Sequence, residues 1–337
     1  MIVAYLTVLK NNFILNKISF FLIIALIGIA SLRFETGTDF KSYLYFWNAA
    51  TPLYDGIDFG YEYYEIGFRY LTSFVKMFSE DSALYFFSLS SLSLLILYKS
   101  LRKYYLNINL AIFMYLCVFY LAYVFNGMGQ AITMSIFIFS LNYIFEKKFV
   151  SILIITVLAT LIHKSGVFIL LAYILYRILT NIKIDYLFYI GIPVMFIIYK
   201  LNLVIILFSN LFPSMVYVYT EVFSEKTSLF QILTRFSILT VLFYFYKQTS
   251  NNQFYKNLFL LYLIGFFLYI GFADFNILAT RINMFFRIIE ILLFSNIIMY
   301  SKNIFTKNSI FIIILMIYSY SYFTLTNNPD FFYKSVF

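Results

Sequence analysis

Residues 106–145 read LNINLAIFMYLCVFYLAYVFNGMGQAITMSIFIFSLNYIF and carry no charged side chain. A hydrocarbon core about 30 Å thick takes about 20 apolar helical residues to cross. The stretch holds two such lengths, 106–124 and 128–145, parted by Asn126-Gly127. In lipid every backbone N–H and C=O needs an internal partner, so both are read as helices. Further apolar runs at 13–32, 82–98, 149–162, 166–182, 186–199, 229–246, 257–273, 284–300 and 309–325 bring the expected spans to eleven. The fold class predicted is an all-α polytopic membrane protein, one transmembrane domain over 1–337 with interfacial helices on its outer face.

Composition agrees. Of 337 residues, 63% are hydrophobic, 23% aromatic and 12% charged. Soluble domains are about half apolar and a quarter charged, so an ordinary globular fold is excluded, as is disorder. One Cys (Cys117) and one His (His163) leave no intrachain disulfide and no Cys/His zinc site. Residues 1–32 imitate a secretory signal, with Lys10, Lys17 and the cleavage-like Gly28-Ile29-Ala30. Ten later spans make them an uncleaved anchor instead.

Charge sidedness sets the expected topology. A cytoplasmic N-terminus puts 13 of the 24 basic residues in short inner links, with only Glu146 and Asp185 of the 15 acids. The net charge of +9 is thus membrane orientation under the positive-inside rule, not a nucleic-acid footprint. An odd span count places the C-terminus outside. Lysines dominate within, whereas Arg33, Arg69, Arg235, Arg281 and Arg287 fall on the outer side. A guanidinium is a flat, permanently charged fork suited to phosphate, so an anionic ligand is expected there, or pairing of each Arg with an outer acid.

Two outer segments exceed a turn. Residues 33–81 hold eight of the fifteen acids and an amphipathic stretch over 62–78 that suits an interfacial helix. Residues 200–228, with Pro213 and Val216-Tyr217-Val218-Tyr219, are read as interfacial or re-entrant. No inner link is long enough for a nucleotide-binding domain, and no Walker fingerprint or internal repeat is visible.

Several outer residues could carry chemistry. In Arg33-Phe34-Glu35-Thr36-Gly37-Thr38-Asp39-Phe40, with Tyr43 close behind, Gly37 permits a tight turn. Arg33 and Asp39 then serve as anion clamp and base, or as a snorkelling Arg and a helix-capping Asp. Asn126-Gly127-Met128-Gly129-Gln130 is either a plain turn or a helix break presenting N–H groups and the Asn126 and Gln130 amides to a ligand. His163, at a span end, is a general-base candidate or a polar cap. Arg281, Arg287 and Glu290 lie at the outer end of the tenth span, where charge is costly, and Arg287 can pair with Glu290 three residues on. The acids Asp55, Asp58, Glu62 and Glu65 lack calcium-loop spacing and suit a solvated loop better than an ion site.

In this order the motifs resemble the EpsG-like branch of the Wzy polysaccharide (O-antigen) polymerases. The resemblance runs through Arg33, Gly37, Thr38, Asp39 and Phe40; Glu65, Gly67 and Phe68, with Arg69 following; Gly129-Gln130; Ile162-His163-Lys164-Ser165; and Arg281-Ile282-Asn283-Met284-Phe285-Phe286. The family usually carries Arg where this chain has Gly129, so any phosphate contact expected there must come from elsewhere. The resemblance implies a GT-C-like, metal-independent enzyme without cofactors at the outer (periplasmic) face of a bacterial inner membrane. It would extend undecaprenyl-pyrophosphate-linked glycans, with membrane lipids and a chain-length regulator as partners and no nucleic acid. Arg33, Arg281 and Arg287 would hold pyrophosphate, and His163 or Asp39 would take the acceptor proton, His163 slightly preferred. A lipid-linked oligosaccharide flippase and an outer-face acyltransferase are the competing readings.

Overall fold

Each of the eleven apolar runs becomes a helix, and seven or eight of the helices have the length and composition of a span among the described residues. The computed structural model describes residues 1–9, 13–56, 63–104, 107–211, 217, 226–248, 252–301 and 303–335. Among them the only extended pairing is an isolated antiparallel bridge between Arg33 and Ser335. Seven helices are long and apolar enough to span: Ser82–Lys103, Ile108–Asn126, Met128–Phe145, Leu229–Gln248, Gln253–Gly271, Asn276–Tyr300 and Ile304–Thr326. An eighth is the pair Lys164–Leu179 and Ile184–Lys200, if this 108° bend marks one broken span. By length and composition the described residues thus hold seven or eight candidate spans, which does not confirm the expected eleven. Lys17–Ser31 and Phe149–Ile162 are shorter apolar helices. At 1.5 Å per residue a 14-residue helix reaches about 21 Å, short of the hydrocarbon thickness.

The chain forms two compact units, Met1–Leu170 with Phe294–Phe337, and Leu171–Leu293. Unit 1 contains α1 (Ile2–Leu9), α2 (Phe13–Ser31), α3 (Phe40–Ala49), α4 (Ile66–Lys76), α5 (Ser82–Lys103), α6 (Ile108–Tyr115), α7 (Met128–Phe145) and α8 (Phe149–Ile162). From Leu116 to Asn126, α6 continues as a π-helix. Helices α5 and α7 pack on each other, and both bury small residues, Ser90, Ser93 and Ser100 on one and Ala131, Ser135 and Ser140 on the other. Small side chains let membrane helices approach closely. Each of these hydroxyls donates to a carbonyl of its own helix, as Ser90 does to Phe86 O at 2.7 Å, so none is buried without a partner.

Residues from the stretch after α2 fold onto that pair. Phe40, Tyr43, Phe46 and Trp47 of α3 join Phe68 and Val75 of α4, Tyr85, Phe86 and Leu89 of α5, and Met128 and Ile132 of α7 in one apolar cluster. The amphipathic stretch expected over 62–78 is helical from Ile66 to Lys76. It buries Phe68, Thr72 and Val75 and exposes Ile66, Tyr70 and Phe74, an apolar outer face that suits a membrane interface. Of the second outer segment the structure describes Leu203–Leu211 as helix; Pro213, Val216, Val218 and Tyr219 lie outside the described residues, as do Lys10, Asp58, Glu62 and Lys302.

In unit 2, Gly265 of Gln253–Gly271 lies directly on Phe286, where any Cβ would collide with that ring. The two helices meet there with Ile282, Phe285 and Phe286 buried.

Candidate functional site

Four of the five sequence motifs converge in unit 1. The loop after α2 carries Glu35 at φ 45° and Gly37 at φ 100°, a turn that brings Gly37 onto the end of the π-helix. A Cβ at Gly37 would lie 2.5 Å from Asn126 Oδ1 and 3.3 Å from Phe125 O, so glycine is required on two counts. The Asp39 N–H points to Asn126 Oδ1 at 3.5 Å. Tyr43, one turn into α3, accepts from Met128 N–H at 3.0 Å. Its hydroxyl thus fills the N-terminus of α7, which the sequence left open as a ligand-binding break. Gly127 alone separates the π-helix from α7.

Asp39 occupies the N-cap of α3, yet its carboxylate makes no capping bond; it receives the Thr38 hydroxyl at 3.2 Å and is exposed. The plain capping role is therefore not what its side chain performs. Glu65 reaches another element, accepting the Lys164 N–H at 2.8 Å. Gly67 seats α4 against α8, since a Cβ there would lie 2.7 Å from Leu161 O. Arg69 follows on α4, half-buried. Gly129, where the family carries Arg, faces His163, whose Cβ and Cδ2 lie 3.4 Å from the place of a Cβ. Gln130 is buried, and its Nε2 finds no hydrogen-bond partner among the described residues.

His163 caps the short turn Lys164–Gly166, its Nδ1 accepting the Ser165 N–H at 3.1 Å. The Ser165 hydroxyl lies 2.8 Å from Nδ1 and 2.9 Å from the Thr133 hydroxyl. A backbone N–H can only donate, so Nδ1 is the acceptor nitrogen and the neutral ring carries its proton on Nε2. Such a ring presents an N–H donor at Nε2.

Arg33 has a place the sequence did not foresee. It is 1% exposed; Nη1 donates to Val124 O at 2.9 Å, and Nη2 lies 3.3 Å from Met128 Sδ. Phe86 and Phe125 enclose the guanidinium at 4.5 and 4.7 Å. Desolvation lowers its pKa to about 10, which still leaves it protonated at neutral pH. Its backbone is strapped by the C-terminal segment: Phe34 N–H donates to Lys334 O at 2.8 Å, Lys334 N–H to the Thr36 hydroxyl at 2.9 Å, and Gly37 N–H to Asp330 O at 2.6 Å. This strap went unread because Asp330–Ser335 has neither periodicity nor motif. Tyr43 and Tyr64, raised in pKa by burial, were likewise hidden among 33 tyrosines.

The fifth motif lies in unit 2. Arg281 is exposed and makes no ion pair among the described residues. Arg287 is buried and pairs with Glu290 at 3.3 Å, the structural alternative that the spacing had allowed. Arg235 approaches the same carboxylate at 3.7 Å, and the Tyr262 hydroxyl donates to it at 2.7 Å. Asp274, also buried, pairs with Lys226 at 3.0 Å.

No curated protein and no solved structure matches the chain. A family profile, described as the EpsG family, matches residues 16–335, a range that contains every motif built above. This all-helical membrane protein belongs to the EpsG family.

Proposed function

We propose that the chain is a metal-independent glycosyltransferase that polymerises lipid-linked oligosaccharide units at the periplasmic face of a bacterial inner membrane, N-terminus in the cytoplasm and C-terminus outside. The growing glycan leaves its undecaprenyl pyrophosphate and joins a sugar hydroxyl of another lipid-linked unit. One observation carries the reading: segments 33–43, 65–69, 126–130 and 162–165, far apart in sequence, meet at one end of unit 1.

The geometry supports the following roles. Asp39, exposed and free of capping duty, takes the proton of the acceptor hydroxyl as its oxygen bonds to the anomeric carbon. The bond from that carbon to pyrophosphate breaks, and the electron pair leaves with the phosphate oxygen. His163, proton on Nε2, donates to developing negative charge, and the amides of Asn126 and Gln130 and the guanidinium of Arg69 add polar groups to the same region. Glu65 positions the His163 turn through Lys164 N–H. Arg33 acts on the loop rather than on substrate, its fork occupied by Val124 O and Met128. On unit 2, Arg281 is the exposed guanidinium suited to an anion, Arg287 being engaged with Glu290.

The test is reconstitution in liposomes with lipid-linked repeat units and analysis of product mass. The parent is expected to give a ladder, Asp39→Asn to lose about 10²–10⁴-fold in kcat, and His163→Ala to lose about tenfold. Parent-rate growth by Asp39→Asn removes the assigned base. Transport without growth, or a single acyl increment, replaces the reading by a flippase or an acyltransferase.

A further inference from the structure

Beside Asp39 four aromatic rings and one hydroxyl surround an opening. Ser42, Tyr45 and Phe46 follow one another on α3 at i, i+3 and i+4 and share a face. Tyr63 and Tyr64 come from the turn that leads into α4, and the five residues line a cavity of about 280 Å³. Its floor is fixed: Phe46 is buried, its ring centroid lies 4.3 Å from that of Tyr64, and Tyr64 in turn stacks on Phe68 at 5.3 Å. Its walls are open, with Tyr45 63% and Tyr63 84% exposed, Tyr63 standing edge-on to Tyr64.

The chemistry around the opening narrows the occupant. Asp39, at the N-cap one turn before Ser42, and Glu65, next in the chain to Tyr64, put two carboxylates close to the lining residues, and both act electrostatically on the Tyr64 phenol. They disfavour a phosphate. Three phenols and a serine hydroxyl disfavour a hydrocarbon tail, which would leave them unpaired. A pyranose ring has an apolar C–H face for the aromatic rings and hydroxyls for the carboxylates. The volume lies just below the range of about 300–1,000 Å³ usual for drug-sized ligands, which suits one sugar ring rather than a chain of them.

We propose that Ser42, Tyr45, Phe46, Tyr63 and Tyr64 form a subsite that seats one pyranose ring, its C–H face on the tyrosines and its hydroxyls toward Asp39 and Glu65. The inference rests on the polymerase reading for the origin of the sugar, and on this cavity for its recognition.

Saturation-transfer NMR on the detergent-solubilised full chain, with the methyl glycosides of glucose, galactose and N-acetylglucosamine as probes, tests it. At least one probe should receive saturation at its ring C–H protons. Tyr45→Ala and Tyr63→Ala should each weaken that probe's binding about tenfold, while Tyr45→Phe keeps it within about twofold. Ser42→Leu fills the opening from an exposed position and should abolish binding even if an alanine variant fails to fold. No saturation of any probe, or equal binding by parent and Ser42→Leu, overturns the subsite. The liposome assay separates the two ideas. A ladder whose KM is unmoved by Tyr63→Ala refutes the subsite alone; probe binding lost in Ser42→Leu, with no ladder from the parent, refutes the polymerase alone.

Discussion

Arg33 and Arg287 are both buried, 1% and 5% exposed, and their charges are met in opposite ways. Around Arg33 stand a carbonyl, a thioether and aromatic rings, and no acid among the described residues pairs with it. Arg287 has Glu290 three residues on, a carboxylate that Arg235 and Tyr262 also use. The second arrangement is what a membrane segment needs to tolerate charge at all. The first leaves a charge without a counter-ion, and only its directed N–H groups are used. Arg33 is therefore a fork that pins the loop after α2 to the π-helix, where Val124 O is its acceptor. Arg287 is one side of an electrostatic closure.

The comparison breaks most readily at Glu290. In Glu290→Ala two guanidiniums lose their shared carboxylate inside unit 2, and removing one partner of a buried pair costs about 3–5 kcal/mol. Denaturant titration of the purified protein in detergent should show that loss. Parent-like stability would mean that Arg235 and Arg287 do not depend on this acid.

A smaller effect sharpens the other side. Gly37 holds a left-handed backbone against Asn126, and Gly37→Ala meets both the φ of 100° and the 2.5 Å approach. The expected cost is about 2 kcal/mol, read in the same titration, with loss of polymerisation because Asp39 moves with the loop. Retained activity would separate Asp39 from the turn that carries it.

Much of this was legible in the sequence, for physical reasons that differ by region. The eleven helical runs followed from hydropathy, since lipid admits only self-satisfied backbone. The count of crossings does not follow from it alone, because hydropathy cannot distinguish a straight span from the 108° bend after Leu179. Gly37 signalled a tight turn, and its φ of 100° makes one; its approach to Asn126 and that of Gly67 to Leu161 were not read from the sequence. Arg287 with Glu290 was readable from a spacing of three. Arg33 was not: the cage that encloses it comes from Phe86, Val124, Phe125 and Met128, all 50 or more residues away, and nothing local announces them.

The smallest expected change in stability is also the most telling. Arg33→Met replaces a buried, uncompensated cation by an apolar chain of similar reach. The substitution removes a desolvation penalty but leaves Val124 O without its donor, and an unsatisfied buried group costs about 1–3 kcal/mol. The two nearly offset, so stability should stay within about 1 kcal/mol of the parent. Activity should nevertheless fall at least tenfold, because the loop that bears Asp39 loses its pin to the π-helix. The pH dependence carries the signature. Because folding depresses the pKa of Arg33 to about 10, the unfolded chain binds the extra proton above that pH, and parent stability gains with rising pH there. Below pH 10 both states hold the proton and the difference between parent and variant is flat. Above it the parent sheds the penalty and gains on Arg33→Met, and titrating groups remote from Arg33 cancel in the subtraction. A difference that stays flat through pH 11 would mean that Arg33 is solvated rather than caged, and the contrast with Arg287 would lose its basis.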